Sequence, residues 1–259
     1  MSPPPAHRPV QLPLGVQLRD TASFATFFAG PNAELLRQLE NLAVNAGGAS
    51  RPAVHFIWGS AGCGRTHLLQ AASRAVGEQG RSAAYLPLAE LADSDPRLLE
   101  GLTQLSLVCL DDVQAVAGRR AWEEALMSLC DGLRASGGCL LAAGTQPPME
   151  LGLGLKDLAT RLAWGPVYAL RPLTDADKIL LLQQRALGRG LELPEEVGRF
   201  LLTRGTRDIP SLLSVLERLD HASLAAQRRL TVPFVREVLA GSESLRIQQD
   251  VQDSQDQQD

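Results

Sequence analysis

The sequence predicts an α/β protein, a mainly parallel sheet covered on both faces by helices and followed by a smaller all-helical unit. Three observations predict it. Short apolar runs alternate with helical or polar stretches through the first part of the chain. One of these runs, Ala53–Trp58, leads into a glycine-rich loop that opens a helix. From Thr174 onward the apolar spacing is helical, with no convincing strand.

Helical spacing begins at Asn32 and runs to Ala46, with Leu35, Leu36, Leu39 and Leu42 on one face and a Gly47-Gly48 stop. The strand Ala53–Trp58 follows, then the glycine loop, then a helix over Thr66–Val76. Ser82–Leu88, Leu105–Leu110 and Cys139–Ala143 read as a second, third and fourth strand. Asp175–Leu187, Pro194–Thr203, Ile209–Ala226 and Val232–Ala240 read as the helices of the second unit. The first residues are proline-rich and then polar, which suits an extended, flexible leader with a short apolar insert at Gln11, Leu12, Pro13 and Leu14. Ile247–Asp259 is almost wholly Gln, Asp and Ser, a composition that cannot support a packed core. The expected organisation is a leader over 1–22, an α/β domain over 23–172, a helical domain over 173–241 and a disordered tail over 242–259.

Composition narrows the function classes. With 45% hydrophobic residues the 259-residue chain can bury a sizeable core. Twenty-five basic against 29 acidic residues give a net charge of −4, so the fold as a whole is not built to bind a polyanion. Cys63, Cys109, Cys130 and Cys139 lack paired ligand spacing and read as buried free thiols. The N-terminal stretch has no apolar signal core and no segment has transmembrane length, so a soluble cytoplasmic protein without membrane contact is expected. Lys156 and Lys178 are the only lysines, so arginine supplies the other basic residues.

The chemistry concentrates at Gly59, Ser60, Ala61, Gly62, Cys63, Gly64, Arg65 and Thr66. This run fits the phosphate-binding pattern GxxxxGK[ST] except that Arg65 stands for the lysine. In such a loop glycines let backbone N–H groups turn inward on a phosphate chain, the lysine reaches the terminal phosphates, and the Ser/Thr hydroxyl holds Mg²⁺. Arginine keeps the charge but replaces a compact ammonium with a larger planar fork, which points to a nucleotide held without efficient turnover. Compositional drift in an arginine-rich chain is the other reading. Downstream, the apolar strand LVCL ends in Asp111 and Asp112. The first carboxylate suits Mg²⁺ and its water, the second the attacking water. A helix cap or turn after a buried strand is the bland alternative. Thr145 stands at the tip of the strand from Cys139, either against a γ-phosphate or shaping a turn before Gln146. Arg161 lies among small and apolar neighbours, as a residue inserted into a neighbouring subunit's nucleotide site or as a surface ion-pair partner.

With the pieces GSAGCGRTHLL, LVCLDDV, the Thr145 strand tip, TRLAWG and a helical lid in this order, the chain resembles the AAA+ ATPases. Within them it looks like the DnaA-related regulators of the Hda type, over about Phe24 to Leu239. The resemblance implies bound ADP or ATP with Mg²⁺, the phosphates cradled by residues 59–66, and the metal reached through Thr66 and Asp111. It implies Walker B roles for Asp111 and Asp112, a sensor 1 role for Thr145, and an arginine finger at Arg161 that acts in trans on ATP held by DnaA. Gln11, Leu12 and Leu14 look like a peptide for the β subunit of the polymerase sliding clamp, so DNA would be met only indirectly. A homodimer is compatible with this class. Pro210 falls where the lid's sensor 2 arginine is expected, and Arg207, one turn away, is the substitute or a surface charge. A DNA-binding domain after the lid, as DnaA carries, is not expected. The rival reading is an ATP-hydrolysing helicase loader or motor that uses its own Asp111 and Asp112.

Overall fold

A computed structural model describes residues 22–46, 53–204 and 208–240. Gln11, Leu12, Leu14, Arg207 and the tail lie outside the described residues. The described residues divide into two compact units, one of 22–27, 34–46, 53–59 and 64–169, the other of 28–33, 60–63, 170–204 and 208–240.

In the first unit α1 (Ala33–Asn45) precedes β1 (Val54–Trp58) and α2 (Arg65–Glu78). Then come β2 (Ala83–Pro87), α3 (Leu88–Leu91), β3 (Leu107–Asp111), α4 (Arg120–Ser136), β4 (Cys139–Gly144), α5 (Lys156–Leu162) and β5 (Val167–Ala169). The strands form one parallel sheet in the order β2-β3-β4-β1-β5. Strands β3 and β4 are buried along their whole length, which is why their sequences run apolar without alternation. Phe56, Leu86, Leu110 and Leu140 from the sheet pack with Leu126 and Leu133 of α4 and Leu158 of α5. Trp122 is buried with them and places its indole N–H 3.0 Å from the Ala92 carbonyl, so its one polar atom is satisfied.

The sequence anticipates four strands and the sheet has five. The fifth, β5, is three residues long, follows Pro166 and keeps Val167 and Ala169 exposed, so it offers neither an apolar run nor a buried alternation. The third strand begins at Leu107 and not Leu105, because Leu105 N–H closes a turn onto the Leu102 carbonyl. All four cysteines are free and buried. Burial pushes the Cys130 thiol up to about 12, with the Asp131 charge adding to it, so it stays protonated.

The second unit holds α6 (Asp175–Leu187), α7 (Glu195–Arg204), α8 (Ile209–Ala226) and α9 over 232–240. Thr174 and Asp177 form a reciprocal capping box at the start of α6. Leu182, Val197, Leu216 and Val235 are fully buried at its centre. Asp208 caps α8 by accepting the Ser211 N–H at 2.9 Å, and Pro210 occupies the first turn, where a missing N–H costs nothing.

The junction of α4 and β4 is tight. A Cβ on Gly138 would lie 2.6 Å from the Leu105 carbonyl oxygen and 2.7 Å from Leu133 Cδ2. Gly138→Ala is expected to destabilise the first unit by about 1–3 kcal/mol, the usual cost of overpacking, read as a lowered denaturant midpoint. An unchanged midpoint would mean that the Leu105 turn yields freely.

Candidate functional site

The loop between β1 and α2 turns through Gly62 at φ +75° and Gly64 at φ +107°, backbone that L side chains rarely adopt. Gly64 has a second reason to lack a side chain, since a Cβ there would lie 2.8 Å from the Phe27 ring. Within the loop the Cys63 N–H reaches the Ser60 carbonyl at 3.3 Å. Ser60, Ala61 and Gly62 are exposed, while Cys63 is buried.

Parallel strands bring Gly59 and the start of α2 to the same sheet edge as the carboxyl ends of β3 and β4. The carboxylate of Asp111, at the end of β3, is buried. It accepts hydrogen bonds from the Thr66 hydroxyl at 2.6 Å and the Tyr85 hydroxyl at 3.0 Å, both on Oδ2, and Oδ1 accepts the Asp112 N–H at 3.0 Å. Burial raises the Asp111 carboxyl above the ordinary aspartate value and Asp112 adds to this, against the opposing effects of Thr66, Tyr85 and Arg65. Burial and the neighbouring Asp111 charge likewise push the Tyr85 phenol far up, so Tyr85 serves as a neutral donor.

Asp112 adopts the left-handed conformation, φ 53° and ψ 52°, which an aspartate tolerates better than most residues. The turn aims its carboxylate at Arg65, whose Nη2 lies 2.9 Å from Oδ1. Arg65 is buried as well, and its Nη1 donates to the carbonyl oxygens of Gly59 and of Gly144, the latter at 3.0 Å. Where the sequence expects Arg65 among the phosphate-cradling groups, the structure gives both terminal nitrogens to protein acceptors. Gln114 extends the network, donating to Asp112 Oδ1 at 2.8 Å and accepting the Thr145 N–H at 3.2 Å, with Thr145 itself exposed.

Thr66 and Asp111 are neighbouring hard oxygen donors, and among the described residues no group of three His, Cys, Asp or Glu gathers. That donor set fits a Mg²⁺ ion shared with phosphate oxygens and not an all-protein metal cage. The positive-φ glycines fit a backbone turned inward on a phosphate chain.

Arg161 takes no part in this network. It lies near the end of α5, where its Nε is 2.9 Å from Asp131 Oδ1 on α4 and its Nη1 faces the Asp157 carbonyl at 3.4 Å. Its guanidinium sits 5.3 Å from the centre of the exposed Trp164 ring, and that of Arg134 sits 4.7 Å from the same ring. The start of α5 is fixed by Glu123 of α4, whose buried carboxylate accepts the N–H groups of Gly154 at 2.9 Å, Leu155 at 2.7 Å and Gly118 at 2.7 Å. Sequence reasoning missed Tyr85, Gln114, Glu123 and Asp131. Tyr85 lies one strand away from the carboxylate it serves, and only the β2–β3 register brings it there. Gln114 had a local signal, two residues beyond Asp112.

A parallel sheet with a glycine loop and strand-end carboxylates, together with a helical unit, fits the AAA+ class of P-loop proteins. The family of the bacterial DnaA ATPase domain matches residues 18–169 and that of the Hda lid domain matches residues 175–239. The chain therefore belongs to the DnaA ATPase-domain family and is a DnaA-related AAA+ replication protein. Among solved structures it is similar to domain III of the replication initiation protein DnaA from Thermotoga maritima, at TM-score 0.72 and 22% identity over 87% of this chain and 98% of that one. AMPPCP-bound DnaA from Aquifex aeolicus matches at 0.67 and 23%, over 77% of this chain and 65% of that longer one. The RuvB Holliday junction branch migration motor of Thermotoga maritima matches at 0.63 and 14%, over 86% and 73%. At these identities the likenesses speak for the fold.

Glu123 yields a pH test. Burial alone would raise its carboxyl, but the three backbone N–H groups outweigh that and hold it below the ordinary 4.5. A depressed folded value contributes stability above pH 4.5 that is lost as the pH falls through the folded value. Glu123→Gln, which turns an amide donor toward a backbone N–H, is expected to cost about 1–3 kcal/mol at pH 7. The gap from wild type should narrow below pH 4.5 in denaturant titrations, and a gap independent of pH would rule out the charged form as its source.

Proposed function

We propose that this chain is a regulator of replication initiation that holds a nucleotide to keep its shape and exports its catalytic contribution through Arg161. Bound ADP or ATP with Mg²⁺ would supply charge and shape at residues 59–66, with Thr66 and Asp111 toward the metal and Asp112 and Thr145 around the terminal phosphate. Tethered to the sliding clamp by Gln11, Leu12 and Leu14 in the cytoplasm, the protein would dock on DnaA carrying ATP and stimulate hydrolysis there. Repeated initiation would thus be prevented.

The observation that carries this reading is the placement of Arg161. It belongs to none of the hydrogen bonds around Asp111 and Asp112, yet its helix is fixed at one end by Glu123 and its side chain is steered by Asp131. An arginine so held, beside an exposed tryptophan, suits delivery into another chain's site, where it would stabilise charge developing on a γ-phosphate. The match of the lid to the Hda lid domain supports the same reading. No described helix is long and apolar enough to cross a membrane.

A second reading, an ATP-hydrolysing loader or motor, draws on the Thr66–Asp111 pair and on Gln114 linking Asp112 to Thr145. Against it stands the engagement of Asp112 by Arg65. Steady ATP turnover by the isolated protein at rates usual for P-loop ATPases would favour this second reading.

Arg161→Ala should leave folding and clamp association intact and reduce the stimulated hydrolysis of DnaA-bound ATP by about 10³-fold, the scale of a missing arginine finger. Stimulation retained in single-turnover assays would remove Arg161 from the mechanism. Gln11→Ala combined with Leu14→Ala should abolish capture by immobilised clamp without changing ADP affinity, and undiminished capture would reject the tether.

A further inference from the structure

We propose that the acidic segment 247–259 folds back on the second unit and seats its carboxylates on Arg204 and Arg236, two guanidiniums that gather on the ring of Phe200. The inference uses neither the glycine loop nor Arg161, so it stands or falls apart from the function proposed above.

Two helices build the patch. Phe200 and Arg204 lie one turn apart on α7, which sets them on one helix face, and Arg236 reaches the same ring from α9. Each guanidinium lies 5.7 Å from the ring centre, so the two stand no further apart than twice that distance. Phe200 is anchored in the helical core of the unit, while both arginines are exposed. A ring face attracts a cation, but two cations on one ring repel each other, and an anion between them relieves that repulsion. Other guanidiniums of the unit already have such a partner. Arg199 holds Glu195 at 2.6 Å and Arg228 holds Glu237 at 3.0 Å. Among the described residues no carboxylate forms an ion pair with Arg204 or Arg236.

The chain carries a fitting anion close by. Residues 247–259 hold four aspartates and no basic residue. The remaining acidic residues number 25, equal to the 25 basic ones, so the whole formal charge of −4 resides in this segment. Asp250, Asp253, Asp256 and Asp259 recur at every third position. Polyproline II backbone has three residues per turn and rises about 3.1 Å per residue, so that period lines carboxylates along one edge about 9 Å apart. The spacing suits two guanidiniums that share one ring. Helix α9 is described to Ala240, one turn beyond Arg236, and nine residues join it to Asp250. Nine extended residues span about 30 Å, several times the single helical turn to be retraced. A segment joined this closely competes at an effective concentration in the millimolar range, which a separate acidic molecule does not match. The occupant is therefore the chain's own segment. Seated there, it covers a basic, aromatic surface that would otherwise take the phosphates and bases of a nucleic acid.

The test uses the full chain and a fluorescein-labelled peptide of residues 247–259. One variant combines Asp250→Asn, Asp253→Asn, Asp256→Asn and Asp259→Asn, and a second adds Arg204→Gln and Arg236→Gln to these. Fluorescence anisotropy should show the first variant binding the peptide roughly tenfold more tightly than the wild-type chain, whose own segment competes for the patch. The second variant should keep the same melting temperature and lose the peptide. In ¹⁵N spectra of the wild-type chain, the Nε–H signals of Arg204 and Arg236 should move when the four aspartates are replaced, which a general change of net charge would not single out. Signals that stay in place, or equal peptide affinity for the wild type and the first variant, overturn the fold-back. So does a first variant that binds no peptide. Peptide binding that survives the two arginine changes overturns the seat. A labelled oligothymidylate captured by the wild-type chain, and released by Arg204→Gln with Arg236→Gln, would give the patch to single-stranded nucleic acid and overturn the proposal.

Discussion

Parallel strands release their last carbonyl groups at one edge of the sheet, and each group buried there must find a donor. The polar cluster at the head of α2 answers that requirement. The Gly144 carbonyl takes the Gly59 N–H and the guanidinium of Arg65, and the Gly59 carbonyl takes Arg65 as well. Asp111, also at that edge, takes two hydroxyls and a backbone N–H. Chemistry collects at this edge because the sheet has to gather donors and acceptors there in order to fold.

The two carboxylates after β3 are kept apart in role by environment. Asp111 is buried among neutral donors and is pushed toward higher proton affinity, a state that a divalent cation would reverse. Asp112 turns out of the strand through left-handed backbone and meets a cation of the protein's own. Adjacent in sequence, they face different partners because one residue of strand geometry and one of turn geometry separate them.

Much of this was legible in advance, and the reasons differ by element. The strands β1, β3 and β4 are legible because burial on both faces favours mostly apolar runs, and β5 is not because its side chains stay half in water. The helices of the second unit were readable from their apolar spacing, with α8 bounded by an Asp208 cap and Pro210 in its first turn. Gly59 to Thr66 and the Asp111–Asp112 pair carry local patterns, so the sequence alone points to them as candidates. What sequence did not offer was partnership across the sheet. The Tyr85 hydroxyl, the Gln114 amide and the destination of the Arg65 guanidinium depend on strand register and on a single left-handed residue, and neither leaves a periodic trace. Asp131 and Glu123 are one charged residue each on a helix whose exposed face carries several, so nothing local sets them apart.

Glu123 and Asp131 lie on the same helix, eight residues or about 12 Å apart, and between them they hold both ends of α5. This turns the interval between them into a fixed measure. A single residue inserted into or deleted from α4 between positions 123 and 131 would swing one carboxylate about 100° away from its partner. The helix may change its composition freely on the exposed side, but its count is not free to drift. Among divergent copies of this chain, the spacing of two unremarkable acidic residues would be expected to outlast the identity of most of the side chains between them.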